Sequence, residues 1–214
     1  MQKRIAILAS GGGTVAQALL DASADDDLAG GRVMVVISDR REAGALARAR
    51  AAGVEALFVN PARHPDRESY DRALATALSE RSIDLICLAG FMRILSPAFV
   101  ERFRDRVLNT HPALLPSFRG AHAVADALAW GVKVTGATVH LAYEDVDGGP
   151  IVLQEAVAVL PGDDESSLHE RIKAVERRLF PEAVRLALSG RIIVRGRTVD
   201  VVDIRGPLEV SAEP

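Results

Sequence analysis

Short apolar runs alternate with longer amphipathic stretches through the first half of the chain: residues 5–9 precede a helical pattern over 14–22, 33–37 precede 42–52, 56–59 precede 67–80, and 85–89 precede 97–103. Apolar runs of this length, without polar alternation, mark strands covered on both faces, and helices between them imply parallel pairing. Residues 107–109 read as a fifth strand. The pattern then changes: over 134–142, Val134, Gly136, Thr138 and His140 alternate with Thr135, Ala137, Val139 and Leu141, and 151–159 is a second extended segment. A helix from about Ser166 carries Leu168, Ile172, Val175 and Leu179 on one face, and Pro181 is expected to kink or split it. Residues 192–202 read as a small hairpin, and 207–214 have little to fold around. The expectation is an α/β fold, doubly wound with a mostly parallel sheet and a mixed C-terminal half. One domain spans 1–190, with a hairpin and tail over 191–214.

A chain of 214 residues has ample material for such a core. Its formal charge of -3, with both signs intermixed, provides no broad positive field, so nucleic acid is not an expected partner and any anionic ligand must be held locally. Cys87 lies inside the apolar run 85–89; as the single cysteine it reads as a core residue of a reducing compartment. The first residues lead into too few apolar positions for a signal peptide, and no run approaches a membrane span, so the expected location is cytoplasmic, with no membrane partner. Five scattered histidines and one cysteine have no metal-ligand spacing.

Chemistry concentrates in a few loops. Asn109-Thr110-His111-Pro112-Ala113-Leu114-Leu115-Pro116 follows the fifth strand, and Asp147-Gly148-Gly149-Pro150 lies between the two later extended segments. An amide can donate to a developing oxyanion, an imidazole can move a proton near neutral pH, and a carboxylate can orient and charge that imidazole. Open α/β folds place ligands at the strand ends where these residues fall. Ser10-Gly11-Gly12-Gly13-Thr14 joins the first strand to the first helix; it matches neither the dinucleotide fingerprint nor a Walker loop, and a tight turn explains it as well as a phosphate cradle does. Lys173 and Glu176, three apart, share a helix face as a solvated ion pair would. His140 reads as a hydrogen-bonded structural histidine. His64, His122 and His169 read as surface or loop residues, with His122 bordering the site.

The segments at 109–116 and 147–150 together resemble the signature of the folate-dependent formyltransferases, and the likeness runs from Ile5 to about Leu188. The resemblance implies a Rossmann-like formyltransferase fold that moves the formyl group of 10-formyltetrahydrofolate, as cosubstrate, to the amine of 5-phosphoribosylglycinamide. Asn109, His111 and Asp147 would be catalytic. The nucleotide would meet Gly13, Thr14, Val15, Gly120, Lys173 and Glu176; the family pattern Ser-Gly-x-Gly-Ser/Thr-Asn ends here in Val15, so only its backbone amide can serve. The folate would meet Arg67, the wall Met92, Arg93, Ile94 and Leu95, and Tyr143, Glu144, Asp145, Val146 and Asp147, with Asn109 beside it. Residues 1–109 would then hold the nucleotide phosphate and 110–190 the catalytic and folate groups, in a monomer or homodimer with small-molecule partners. Asp147, with Glu144 and Asp145 near it in sequence, is expected to raise the His111 pKa above about 6.5. Three alternatives stay open: methionyl-tRNA formyltransferase, for which no long or basic segment follows Leu188; formyltetrahydrofolate hydrolase, which carries a domain ahead of the first strand; and a non-catalytic nucleotide-binding module.

Overall fold

The computed structural model describes residues 2–202. Among them, seven strands form one sheet: β1 (Lys3–Leu8), β2 (Gly31–Ser38), β3 (Glu55–Phe58), β4 (Leu85–Leu88), β5 (Val107–His111), β6 (Val134–Leu141) and β7 (Ile151–Ala158), in the order β3-β2-β1-β4-β5-β6-β7. The first five pair in parallel, whereas β5 with β6 and β6 with β7 pair antiparallel. The helices are α1 (Thr14–Ala24), α2 (Gly44–Ala51), α3 (Arg67–Glu80), α4 (Pro97–Arg102), α5 (Ala123–Trp130) and α6 (Glu165–Leu188), and β8 (Ile192–Arg195) and β9 (Thr198–Val201) make the expected hairpin. The mostly parallel sheet with a mixed C-terminal half is the architecture expected. The expected division at 109/110 falls inside β5, and the segment 207–214 lies outside the described residues.

The apolar runs are continuous because both faces of the sheet are covered. Ile5, Ile7 and Ala9 enter a core layer with Leu19, Leu46, Ile172 and Phe180, while Ala6 and Leu8 enter the opposite layer with Tyr70, Leu74, Leu78 and Phe99. Successive strand residues point to opposite faces, so every position needed an apolar side chain. Strand order reverses between β1 and β4, and open α/β sheets bind ligands at the carboxyl ends of the strands beside such a reversal. Ser10 ties the two loops together: its amide donates to the Gly90 carbonyl (3.0 Å) and its Oγ accepts from the Met92 amide (2.9 Å).

Two elements differ from expectation. Of the kink or split expected at Pro181, the split does not occur: α6 begins at a capping box in which the Asp164 carboxylate accepts from the Ser167 amide, and it runs through Pro181 to Leu188. Proline in a helix interior costs about 3 kcal/mol. Around Pro181, however, Leu179, Phe180 and Val184 are buried, each such side chain contributing roughly 1.5–3 kcal/mol, and together they outweigh the break. Helix α5 was not anticipated, because it is short and apolar and its N-cap, His122, makes no side-chain cap. Among the described residues no helix is long and apolar enough to cross a membrane.

Candidate active site

Strand β5 sends alternate side chains to opposite sides, which separates Asn109 and His111 from Thr110. Antiparallel register places His140 of β6 opposite Asn109 and Thr138 opposite His111. The loop after β6 then returns Asp147 to the same side. Its φ of 51° is left-handed, and its turn is closed by a hydrogen bond from the Gly148 amide to the Asp145 carbonyl (3.0 Å). The Asp147 carboxylate becomes the hub of the cluster. Oδ2 accepts from the Gly120 amide at 2.8 Å and lies 3.4 Å from His111 Nδ1; Oδ1 lies 3.4 Å from Asn109 Nδ2 and 3.6 Å from His140 Nε2.

Hydrogen-bond chemistry orients these groups. His140 Nδ1 faces the Leu141 carbonyl at 2.9 Å, which only accepts, so Nδ1 carries the proton. Nε2 lies 3.0 Å from Asn109 Nδ2. Turning the Asn109 amide over would set its oxygen against the Asp147 carboxylate, so the NH2 group is held toward Asp147, within reach of both Oδ1 (3.4 Å) and His140 Nε2 (3.0 Å). His111 Nε2 faces the Phe118 carbonyl at 2.8 Å and therefore carries a proton as well. Thr138 Oγ1 donates to the Ala113 carbonyl (2.6 Å) and accepts from the Leu115 amide (3.1 Å), fixing the Leu-Leu-Pro wall behind His111.

His140 is the hydrogen-bonded histidine expected, 2% exposed, and it also lies beside two members of the cluster, Asn109 and Asp147. Its signal in sequence was the polar alternation Thr138, His140, which became meaningful only once register placed it opposite Asn109. The expected elevation of the His111 pKa is corrected. His111 is 4% exposed, and burial pushes its pKa below 6.5; the Asp147 charge and the Phe118 carbonyl push upward but do not outweigh it. Glu144 and Asp145, invoked for the elevation, are exposed to solvent. For Asp147, burial raises the pKa, but His140, the Gly120 amide and His111 together bring it down to about 2.

Because Asp147 raises the His111 pKa, Asp147→Asn is expected to lower it further from its already depressed value, followed through the ring-proton NMR signal. An identical titration in parent and variant would sever the claimed coupling. Both groups have depressed folded-state values, so each contributes stability at higher pH: the His111 share is lost as pH falls from 6.5 through its lowered pKa, and the Asp147 share as pH falls from 3.8 through about 2.

The other expected residues fall into three groups. Gly13 is the N-cap of α1 with φ 73°, and no side chain caps that helix, so the amides of Gly13, Thr14 and Val15 open the helix without a side-chain acceptor. Val15 itself is buried in the core. Met92 and Ile94 stand 65% and 57% exposed on the loop after β4, unusual for large apolar side chains. In the same loop, Arg93 lies over the Tyr70 ring at 4.8 Å and the Ser96 amide donates to Asp71 (2.5 Å). Arg67, at the start of α3, is exposed. Tyr143 is engaged by Asp105, to which its hydroxyl donates (2.5 Å), and by Arg104 over its ring; burial and Asp105 raise its pKa to about 12. Glu144, Asp145 and Val146 are exposed beside it.

Lys173 and Glu176 do not pair with each other. Lys173 bonds Glu170 (2.8 Å), whereas Glu176 is 5% exposed and accepts from Thr110 Oγ1 at 2.8 Å, its pKa raised by burial against the Thr110 bond and the Lys173 and Arg177 charges. A buried carboxyl that bonds the residue between Asn109 and His111 links α6 to β5. His169 lies on α6, partly exposed.

A proton-donating amide and imidazole around one ionised carboxylate, at the same end of the sheet as an uncapped helix start, suit acyl transfer to a phosphate-bearing acceptor. Residues 3–184 match the family model for formyl transferases, and the chain belongs to that family. Within it, the chain is similar to the phosphoribosylglycinamide formyltransferase of Mycobacterium tuberculosis (strain ATCC 25618 / H37Rv), 52% identical over 195 residues that cover 91% of this chain and 89% of that protein. It is 44% identical over 189 residues to the human trifunctional purine biosynthetic protein adenosine-3, covering 88% of this chain and 19% of that longer protein. The crystal structure of glycinamide ribonucleotide transformylase 1 from Symbiobacterium toebii superposes with a TM-score of 0.92 at 49% identity, over 94% of this chain and 95% of that one.

Proposed function

We propose that this chain transfers the formyl group of 10-formyltetrahydrofolate to the amine of 5-phosphoribosylglycinamide, releasing tetrahydrofolate, in purine biosynthesis. The observation that carries the reading is the convergence of Asn109, His111 and Asp147 on one point, with Asp147 3.4 Å from each of the other two. The similarity to phosphoribosylglycinamide formyltransferases over nine-tenths of the chain supports the choice of substrates.

The substrate's neutral amine attacks the formyl carbon. As the new C–N bond forms, the carbonyl oxygen takes up negative charge, and an Asn109 Nδ2 proton, which faces Asp147 and His140 at rest, and the His111 Nε2 proton, given to Phe118 at rest, turn to stabilise it. Such donors are worth about 3 kcal/mol each in a water-poor site. Neither needs a charged imidazole, which agrees with the lowered His111 pKa. Asp147, ionised at neutral pH, receives the amine proton through a water, and the same route returns a proton to the folate nitrogen as the old C–N bond breaks. The substrate phosphate sits on the amides of Gly13, Thr14 and Val15, whose strand β1 is two positions from β5, roughly 10 Å across the sheet. Gly120, Lys173 and Glu176 line the path between, the last accepting from ribose hydroxyls. Met92, Arg93, Ile94 and Leu95 form the folate wall, with Arg93 and Leu95 offering backbone bonds; apolar side chains left in water there gain cover when a pterin binds. The backbone of 143–147 reads the ring, and Arg67 faces the acidic end. An enzyme with these small soluble substrates acts in the cytoplasm, as a monomer or homodimer.

Purified protein with 10-formyltetrahydrofolate should release tetrahydrofolate only when 5-phosphoribosylglycinamide is added. Release with water alone, yielding formate, would make it a hydrolase; release only with charged initiator tRNA would make it a tRNA formyltransferase; nucleotide binding with no release would leave a binding module.

A further inference from the structure

The glycine segment is held from outside by α2. Arg48 donates from Nε to the Gly12 carbonyl (2.8 Å) and from Nη1 to Gln17 Oε1 on α1 (3.2 Å), and the Ala45 amide donates to the Gly11 carbonyl (3.2 Å). The two segments touch so closely that both need glycine: a Cβ on Gly13 would lie 2.6 Å from Ala45 Cα, and one on Gly44 2.8 Å from the Gly12 oxygen. In a trans peptide the carbonyl and the following N–H point in opposite directions. Pinning the Gly11 and Gly12 carbonyls onto α2 therefore turns the Gly12 and Gly13 amides away from it.

We propose that Arg48 is a positioning residue for the phosphate subsite. Its forked guanidinium fixes the Gly12–Gly13 peptide against the first turn of α1 and keeps the Gly13, Thr14 and Val15 amides aimed at one anion. The inference rests on the placement of the substrate phosphate at this loop. It adds a residue on a helix surface that no motif contains, and a mode of action distinct from charge: an arginine acting only through its field is screened by salt, whereas one that sets a peptide plane is not.

The test compares Arg48→Met with the parent in steady-state kinetics, using 5-phosphoribosylglycinamide and the riboside that lacks its phosphate, at about 0.02 M and about 0.5 M KCl. The expected result is a KM for the ribonucleotide about tenfold higher in the variant at both salt concentrations, from loss of the bonds that set the loop. The KM for the formyl folate, kcat, and the KM for the riboside should match the parent. A deficit that vanishes at high salt reduces Arg48 to a charge and overturns the proposal. An equal rise in the folate KM or the riboside KM does the same, because it marks general disruption. If the parent itself takes riboside and ribonucleotide with equal KM, the phosphate lies elsewhere, and the placement fails independently of Arg48.

Discussion

Asp147→Asn should lower turnover by about a thousandfold or more while both substrates still bind within a few-fold of the parent. The carboxylate faces Gly120, His111, Asn109 and His140 at once, and an amide in its place can neither carry the negative charge nor receive a proton. The backbone that would read the folate is untouched by the change. His111→Ala and Asn109→Ala each remove one donor to the developing oxyanion and should lose about 10²–10³ in kcat, with a smaller loss for Asn109→Ala if water fills the gap. Interactions made chiefly in the transition state lower kcat and kcat/KM together, so kinetics and titration calorimetry on the same variants test the assignment. Turnover like that of the parent in any variant removes that residue from the mechanism. Binding lost in proportion to turnover would instead place its contribution in the ground state.

Gly13→Val should abolish most nucleotide binding, by about a hundredfold or more, and also weaken the fold. The position has φ +73°, and the first atom of any side chain would lie 2.6 Å from Ala45 Cα and 2.7 Å from its Cβ. A β-branched residue in the left-handed region, combined with overpacking, costs about 2–5 kcal/mol. Helix α2 would be pushed off the loop, releasing the Gly11 carbonyl and turning the amides proposed to meet the phosphate. A denaturant midpoint measures the stability loss; calorimetry with the ribonucleotide measures the affinity, with the formyl folate as the control that should change little. Unchanged nucleotide affinity would show that the phosphate binds elsewhere.

What could be read from the sequence follows the physics of each element. Strands β1 to β5 were legible because a strand buried on both faces needs an unbroken apolar run, and α3 because its polar and apolar positions alternate cleanly between Asp66 and Arg81, the residues that cap it. Helix α5 was not, since eight mostly apolar residues without a capping side chain carry no period that separates helix from buried loop. The residue types at 109, 111 and 147 suggested the proposed chemistry. Their arrangement did not: His140 entered through strand register, and the Phe118 carbonyl through a loop turned left-handed at φ 53°. The direction of the His111 shift was misjudged because a nearby charge is visible in sequence and the loss of solvent is not. Glu176 hid for the same reason, since three-residue spacing on a helix looks alike whether the face meets water or the Thr110 hydroxyl. Arg48 is one of several arginines on α2 and its surroundings, distinguished only by what lies within reach of its fork.

The most direct test of the account follows the formyl carbon itself. With carbon-13 in the formyl group of 10-formyltetrahydrofolate and 5-phosphoribosylglycinamide present in equal amount, NMR should show the label move to the formamide of the nucleotide product, one equivalent for each tetrahydrofolate formed, with Asp147→Asn leaving it on the folate over the same period. Label appearing as free formate, or reaching the nucleotide as fast in Asp147→Asn as in the parent, would contradict the proposed reaction and the site assigned to it.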